Sequence, residues 1–230
     1  EDWLLDRARG ARWEAKRSMW NRTYPMPAKA NGGLFDPDRE LLIKYMRQAG
    51  RMLEWGMGES TRIAAAVGVP HVRSLDSDFG YVSGVQQDVP PNWDLNFVYI
   101  GPIVAWGRPK GTSHRAHWPR YADFGVERQD PFDLYYVDGR FRVSCALLAL
   151  IHGSANGTRT RDDFVVMIHD WEVDWRGYHA VLHFADIVDG SDSGKPDPEY
   201  KYRLVVLRRK AGVTDEQIRA FRMMYIYEYN

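Results

Sequence analysis

One cysteine, no net charge and no long apolar run are the first constraints that the sequence sets. Cys145 is the only cysteine in 230 residues, which excludes an intrachain disulfide and a cysteine-built zinc cluster. It opens the apolar run Cys145–Ile151 and reads as a small buried hydrophobe rather than a nucleophile. Thirty-one Lys and Arg balance thirty-one Asp and Glu, so no global field favours nucleic acid or an anionic membrane. No stretch approaches the roughly 18 apolar residues that a membrane-spanning helix needs, so no membrane span is expected. Also absent are the G-x-S-x-G elbow of serine hydrolases and the G-x-x-x-x-G-K-[ST] phosphate loop, which removes those two enzyme readings. The cytoplasm is the expected compartment. Two N-x-[ST] sequons, Asn21-Arg22-Thr23 and Asn156-Gly157-Thr158, and a first residue that is Glu1 rather than Met leave a luminal or processed form open.

What is present is material for one sizeable core, at 44% hydrophobic and 13% aromatic residues. Residues 1–35 carry Trp3, Trp13 and Trp20 among many charges and read as a helical extension, its tryptophans packing anchors or, alternatively, a lid or a homodimer contact. Residues 36–230 form the main domain. Asp36-Pro37 predicts a helix N-cap, with a helix running to Gly50. A strand at Arg51–Trp55, a glycine turn and a helix capped by Ser60 follow. The alternation continues with strands at His71–Leu75, Asn96–Ile100, Leu134–Val137, Phe164–Ile168 and Tyr202–Leu207. Helices fall at Phe79–Gln87, Val143–His152 and Tyr178–Phe184. Strands alternating with helices predict a mostly parallel sheet covered on both faces, with the apolar strands Phe97–Ile100 and Phe164–Ile168 at central positions. Gly101–Gln129 reads as a long loop and Asp189–Pro198 as a surface loop. A capping box, Thr214 to Gln217, starts a short helix that turns Ile218, Phe221 and Met224 inward.

In such a sheet ligands bind beyond the carboxyl ends of the strands. After the first strand comes Glu54-Trp55-Gly56-Met57-Gly58-Glu59-Ser60-Thr61, where two glycines let backbone approach a ligand and a helix start offers free N–H groups. Thr61 stands where a dinucleotide fingerprint has its third glycine. About 20 residues beyond the turn, Asp76 is placed to accept both hydroxyls of a ribose, while Asp78 suits a helix cap. Glu54-x-Gly56-x-Gly58-x-Ser60 followed by Asp76 resembles the cofactor half of Rossmann-like S-adenosylmethionine-dependent methyltransferases, over about residues 36–210. The resemblance implies an α/β three-layer αβα sandwich on a seven-stranded, mostly parallel sheet. Tyr202–Leu207 is its antiparallel last strand and Asp186–Val188 a short sixth. It also implies S-adenosylmethionine as cofactor, held by Glu54, Gly56, Gly58, Glu59, Ser60 and Asp76, with Glu54 orienting the turn or meeting the methionine amine. The third strand ends in Tyr99-Ile100-Gly101-Pro102, without the acid that many members place near adenine.

Two further strand ends, Val137-Asp138-Gly139-Arg140 and Ile168-His169-Asp170-Trp171, bring carboxylates and an imidazole to the same cleft, a set suited to a hard cation or to acid–base work. This pattern resembles a subset of small-molecule O-methyltransferases. The resemblance implies Asp138 and Asp170 as ligands of Mg²⁺ or of substrate and His169 as a base or a supporting group. Alternatively, His169 is neutral and Asp170 caps a helix. Arg140 and Arg142 suit a clamp on a substrate anion, or a salt bridge with surface acids. Trp106 and Arg108 open a basic, aromatic segment reaching Tyr121, expected to form a lid over a small polar or sugar-like substrate. His114 and His117 in that segment bind metal only if helical. Basic–aromatic interleaving is also a nucleic-acid signature, which the zero net charge disfavours. The reading is a methyltransferase with Asp138, His169 and Asp170 as catalytic groups. An NAD(P)-dependent oxidoreductase and a non-catalytic binding protein of the same fold are the alternatives.

Overall fold

The computed structural model describes residues 23–29, 33–155, 159–160, 162–171, 177–195 and 201–229. The expected N-terminal helix with its three tryptophans, the asparagines of both sequons and Pro196–Pro198 lie outside them.

Along the strands the side chains alternate between two cores, as period-2 geometry requires. In β1 (Arg51–Trp55), Leu53 and Trp55 enter one core and Met52 the other. In β6 (Leu134–Val137) and β7 (Val165–His169) the split repeats: Tyr135, Val137, Val166 and Ile168 face one side, and Leu134, Tyr136, Val165 and Met167 the other. Strands buried on both faces need helices on both faces. One core is closed by α1 (Asp36–Met46), α2 (Glu59–Val67) and α3 (Phe79–Gln86). The other is closed by α4 (Trp118–Val126), α5 (Arg142–Gly153) and α6 (Asp215–Arg222). With β2 (His71–Asp76), β3 (Asp94–Phe97), β8 (Ala185–Asp192) and β9 (Tyr202–Arg209), the sheet has seven strands in the order β3-β2-β1-β6-β7-β9-β8. All neighbouring pairs are parallel until β9, which runs antiparallel to both β7 and β8. The order reverses at β1, so the β1 and β6 ends diverge into the crevice that binds ligands in open α/β sheets.

Several expectations need correction. The strand expected at Asn96–Ile100 is the sheet edge rather than its centre: β3 is the terminal strand, and Phe97 is 42% exposed. Its four apolar residues resemble a buried run, yet of the four only Val98 and Ile100 turn inward. The segment Gly101–Gln129 is not a plain loop. It folds into a hairpin of β4 (Ile103–Val104) and β5 (Arg108–Pro109) and then α4, on which Trp118, Tyr121, Ala122 and Gly125 are buried at helical spacing. Phe35 rather than Asp36 is the N-cap of α1, its N–H donating to Asp38 Oδ2 at 3.2 Å, and α1 stops at Met46 before Gly50. Gly58 rather than Ser60 caps α2, because the Ser60 hydroxyl is engaged beneath the turn. The sixth strand spans Ala185–Asp192, so the start of the loop expected from Asp189 is strand. Tyr178–His183 is a 3-10 helix. The Thr214 capping box is present and Ile218 is buried, but Met224 is 63% exposed, lying past the last turn of α6.

Candidate functional site

The glycine turn after β1 rests on a buried carboxylate. Glu54 is fully buried and accepts hydrogen bonds from Ser60 Oγ (2.5 Å), Thr61 Oγ1 (2.6 Å) and Ser74 Oγ (2.5 Å). Thr61 Oγ1 in turn accepts from the Gly58 N–H at 2.9 Å. Burial pushes the Glu54 carboxyl up to about 7, against the pull of the three hydroxyls. Glu54 therefore shapes the turn from below and does not line the cleft, which takes it out of the group facing a ligand directly.

Gly56 and Gly139 explain why two strand ends sit so close. Gly56 has φ +93°, and a Cβ there would lie 2.4 Å from the Gly139 nitrogen. A Cβ on Gly139 would lie 2.2 Å from the Tyr121 hydroxyl. Gly56 thus serves the packing of backbone on backbone, whereas a Cβ on Gly58 meets nothing within 4 Å and leaves room above the turn. Opposite, Asp76 Oδ2 accepts the Met57 N–H (3.1 Å) and Oδ1 the Asp78 N–H (2.7 Å), with burial raising its carboxyl to about 6. Asp78 caps α3 through the Gly80 N–H at 2.8 Å. Glu59 is tied to Arg39 by a short ion pair and accepts the Leu34 N–H at 3.2 Å, which seats the segment before α1 on the turn.

A cleft of about 470 Å³, within the usual size of a small-molecule site, gathers these groups. Gly56, Gly58, Glu59, Ser60 and Asp76 line it together with Asp138, His169 and Asp170 and with Trp106, Arg108, Arg140 and Arg142. Of the cofactor, catalytic and substrate-binding residues expected from sequence, Glu54 alone is not on the wall. Trp106 is 68% exposed at the hairpin turn with φ +64°, a conformation uncommon for a non-glycine residue. From the expected lid, the hairpin turn and Tyr121 reach the cleft. His114 and His117 lie off its wall, where their rings stack with centroids 6.2 Å apart.

The acidic end is built around a protonated ring. His169 Nδ1 lies 3.2 Å from Asp138 Oδ1 and 3.4 Å from Asp170 Oδ1, while Nε2 lies 3.4 Å from Asp38 Oδ2. Burial disfavours the charged imidazole, but Asp138 above all, then Asp38 and Asp170, outweigh it and raise the ring to about 10. The balance favours the charged imidazolium over the neutral ring considered from sequence, and a charged ring has no lone pair with which to act as a base. Asp138 and Asp38 are held below the ordinary carboxylate range: burial acts to raise both, and is outweighed by His169 with Arg142 at Asp138, and by His169 with Ser191 at Asp38.

Arg142 spends its nitrogens on the protein itself. Its side chain is 2% exposed. It donates to the carbonyls of Gly139 (Nε, 3.0 Å), His169 (Nη1, 2.5 Å) and Asp138 (Nη2, 2.9 Å), and pairs with Asp138 and Asp170. The sequence reading missed Asp38. It is fully buried, takes the Ser191 hydroxyl at 2.5 Å and pairs with Arg203 at 3.1 Å, yet it lies in the first turn of a helix where an acid reads as dipole complement. Only tertiary contact reveals it. Leu34 and Tyr81 also line the cleft without a local signal.

No family model and no curated protein sequence matches the chain. A crystal structure of a methyltransferase-like protein from Silicibacter pomeroyi superposes with a TM-score of 0.67 at 23% identity, covering 89% of this chain and 100% of that one. With a seven-stranded sheet in which β9 alone is antiparallel, the chain has the Rossmann-like methyltransferase fold.

Proposed function

We propose that the chain is an S-adenosylmethionine-dependent methyltransferase that acts on a hydroxyl oxygen of a small polar or sugar-like acceptor. The observation that carries this reading is one cleft whose wall joins the glycine turn and Asp76 to the Asp138–His169–Asp170 group. The residues fit the cofactor: open space stands over Gly58, and Asp76 offers a carboxylate whose oxygens already accept backbone N–H groups and keep lone pairs for a ribose. When bound, the cofactor supplies an electrophilic methyl group on a sulfonium.

The protein's part is alignment and handling of one proton. Asp138 and Asp170 are partly exposed and line the cleft, and Asp138 is held below the ordinary carboxylate range, so the pair can orient an acceptor hydroxyl and receive its proton. His169 and Arg142 hold those carboxylates in place. Trp106 and Arg108 offer a flat face and a cation to the rest of the acceptor.

Calorimetric titration with S-adenosylhomocysteine tests the reading, with NADH as the competing ligand. Micromolar binding of the first and none of the second is expected. Binding of NADH alone overturns it. Cofactor binding with no methyl transfer across hydroxyl acceptors favours a non-catalytic binding protein.

A further inference from the structure

Among the described residues, Asp138, His169 and Asp170 form a group whose ligand atoms lie within 4.8 Å of one another, the arrangement that invites a metal ion. We propose that Arg142 is the built-in cation of this site, and that the chain uses no divalent metal at Asp138 and Asp170.

The argument is one of occupancy and charge. Arg142 Nη2 lies 3.0 Å from Asp138 Oδ1 and 3.0 Å from Asp170 Oδ2, so the guanidinium bridges the two carboxylates where a shared cation has to sit. It cannot step aside, because three backbone carbonyls from the β6 and β7 ends hold its nitrogens and Tyr178 covers it with its ring at 5.4 Å. It cannot lose its charge either: burial acts against the charged form, but Tyr178, Asp138 and Asp170 outweigh it and push an already strong base further up. The remaining oxygens are also engaged: Asp138 Oδ2 accepts the Tyr136 hydroxyl at 3.2 Å, and Asp170 Oδ1 faces His169 at 3.4 Å. His169 Nδ1 is taken up between Asp138 and Asp170, and Nε2 faces Asp38. A hard cation wants converging, uncompensated oxygens, and a fixed guanidinium among them repels it.

A consequence for the acceptor rests on the proposed function. With no metal to chelate paired hydroxyls, a single hydroxyl suffices for productive binding, and vicinal diols gain no advantage over mono-ols of similar shape.

The test uses Mn²⁺ as the probe, followed by its electron paramagnetic resonance signal. Chelator-dialysed wild-type protein is expected to take up no Mn²⁺ at millimolar concentration, and chelator is expected to leave its melting temperature and S-adenosylhomocysteine affinity unchanged. Arg142→Ala, which removes the internal cation, is expected to bind about one Mn²⁺ per chain, and Asp170→Asn in that background to abolish the binding. Uptake of Mn²⁺ by the wild type, lost in Asp138→Asn, overturns the proposal, as does a folded Arg142→Ala that takes up none. Should that variant fail to fold, the wild-type titration decides alone. A wild type that binds neither Mn²⁺ nor S-adenosylhomocysteine supports the metal argument and overturns the function.

Discussion

His169 and Asp38 stand 131 positions apart in the chain and 3.4 Å apart in space, joining the carboxyl end of a central strand to the first turn of α1. Through this contact the segment that seats on the glycine turn by Arg39 and Leu34 also fixes the ring at the acidic end. The glycine turn and the acidic group therefore depend on one helix start.

The His169 ring supplies a pH signature. Its folded value of about 10 lies above the ordinary imidazole value of 6.5, so its contribution to stability is full below about 6.5, falls as the pH rises, and is gone above about 10. Nitrogen chemical shifts of the imidazole are expected to show a protonated ring at about pH 8. A ring that titrates near its ordinary value contradicts the three-carboxylate cage.

Glu54 carries the same sign for a different cause. Burial raises its carboxyl to about 7 from 4.5, so wild-type stability declines as the pH rises through that interval. Glu54→Gln keeps acceptor and hydrogen-bonding capacity without the ionisation, and thermal melts are expected to show a flatter profile between those pH values. Glu54→Ala leaves three buried hydroxyls without their shared acceptor and is expected to lower the melting point at every pH. Parallel profiles for wild type and Glu54→Gln count against the buried, proton-binding carboxyl.

The two glycines of the turn separate packing from binding. Gly56→Ala places a methyl against the Gly139 backbone and is expected to cost about 1–3 kcal/mol or more in stability. Gly58→Ala meets nothing in the protein, so its melting point is expected to stay close to that of the wild type while affinity for S-adenosylhomocysteine falls. Equal loss of stability in both variants sinks this division of labour.

For Asp76, the expected outcome is a loss of affinity of about tenfold to a hundredfold on substitution by Asn, the worth of one or two charge-assisted hydrogen bonds. The amide retains one acceptor for the Met57 and Asp78 N–H groups, so part of the turn geometry survives. Calorimetry that finds unchanged affinity removes Asp76 from the cofactor site.

Most of the sheet was legible because buried strands such as Met52–Trp55 and Val165–Ile168 are short apolar runs between turn signals. The strand-end residues were legible for a topological reason: once strands alternate with helices, Asp76, Asp138 and Asp170 must emerge on one side of the sheet. Edge and centre were not separable at Phe97–Ile100, since pattern reports apolarity and not which strand lies beside which. Helix α4 escaped because Pro119 and the glycines around it mask a spacing that Trp118, Tyr121 and Ala122 still display. The role of Arg142 was ambiguous for a simple reason. A guanidinium near acids reads equally as clamp or strut, and only its three backbone carbonyl partners decide.

Gly56 and Gly139 interlock beneath Tyr121, each occupying the space where the other's side chain would have to go. The turn that opens α2 and the acidic turn that opens α5 therefore form a single heritable part. A related chain can change one of them only by changing its counterpart and the tyrosine above, and a graft that carries over the acidic turn alone will not seat.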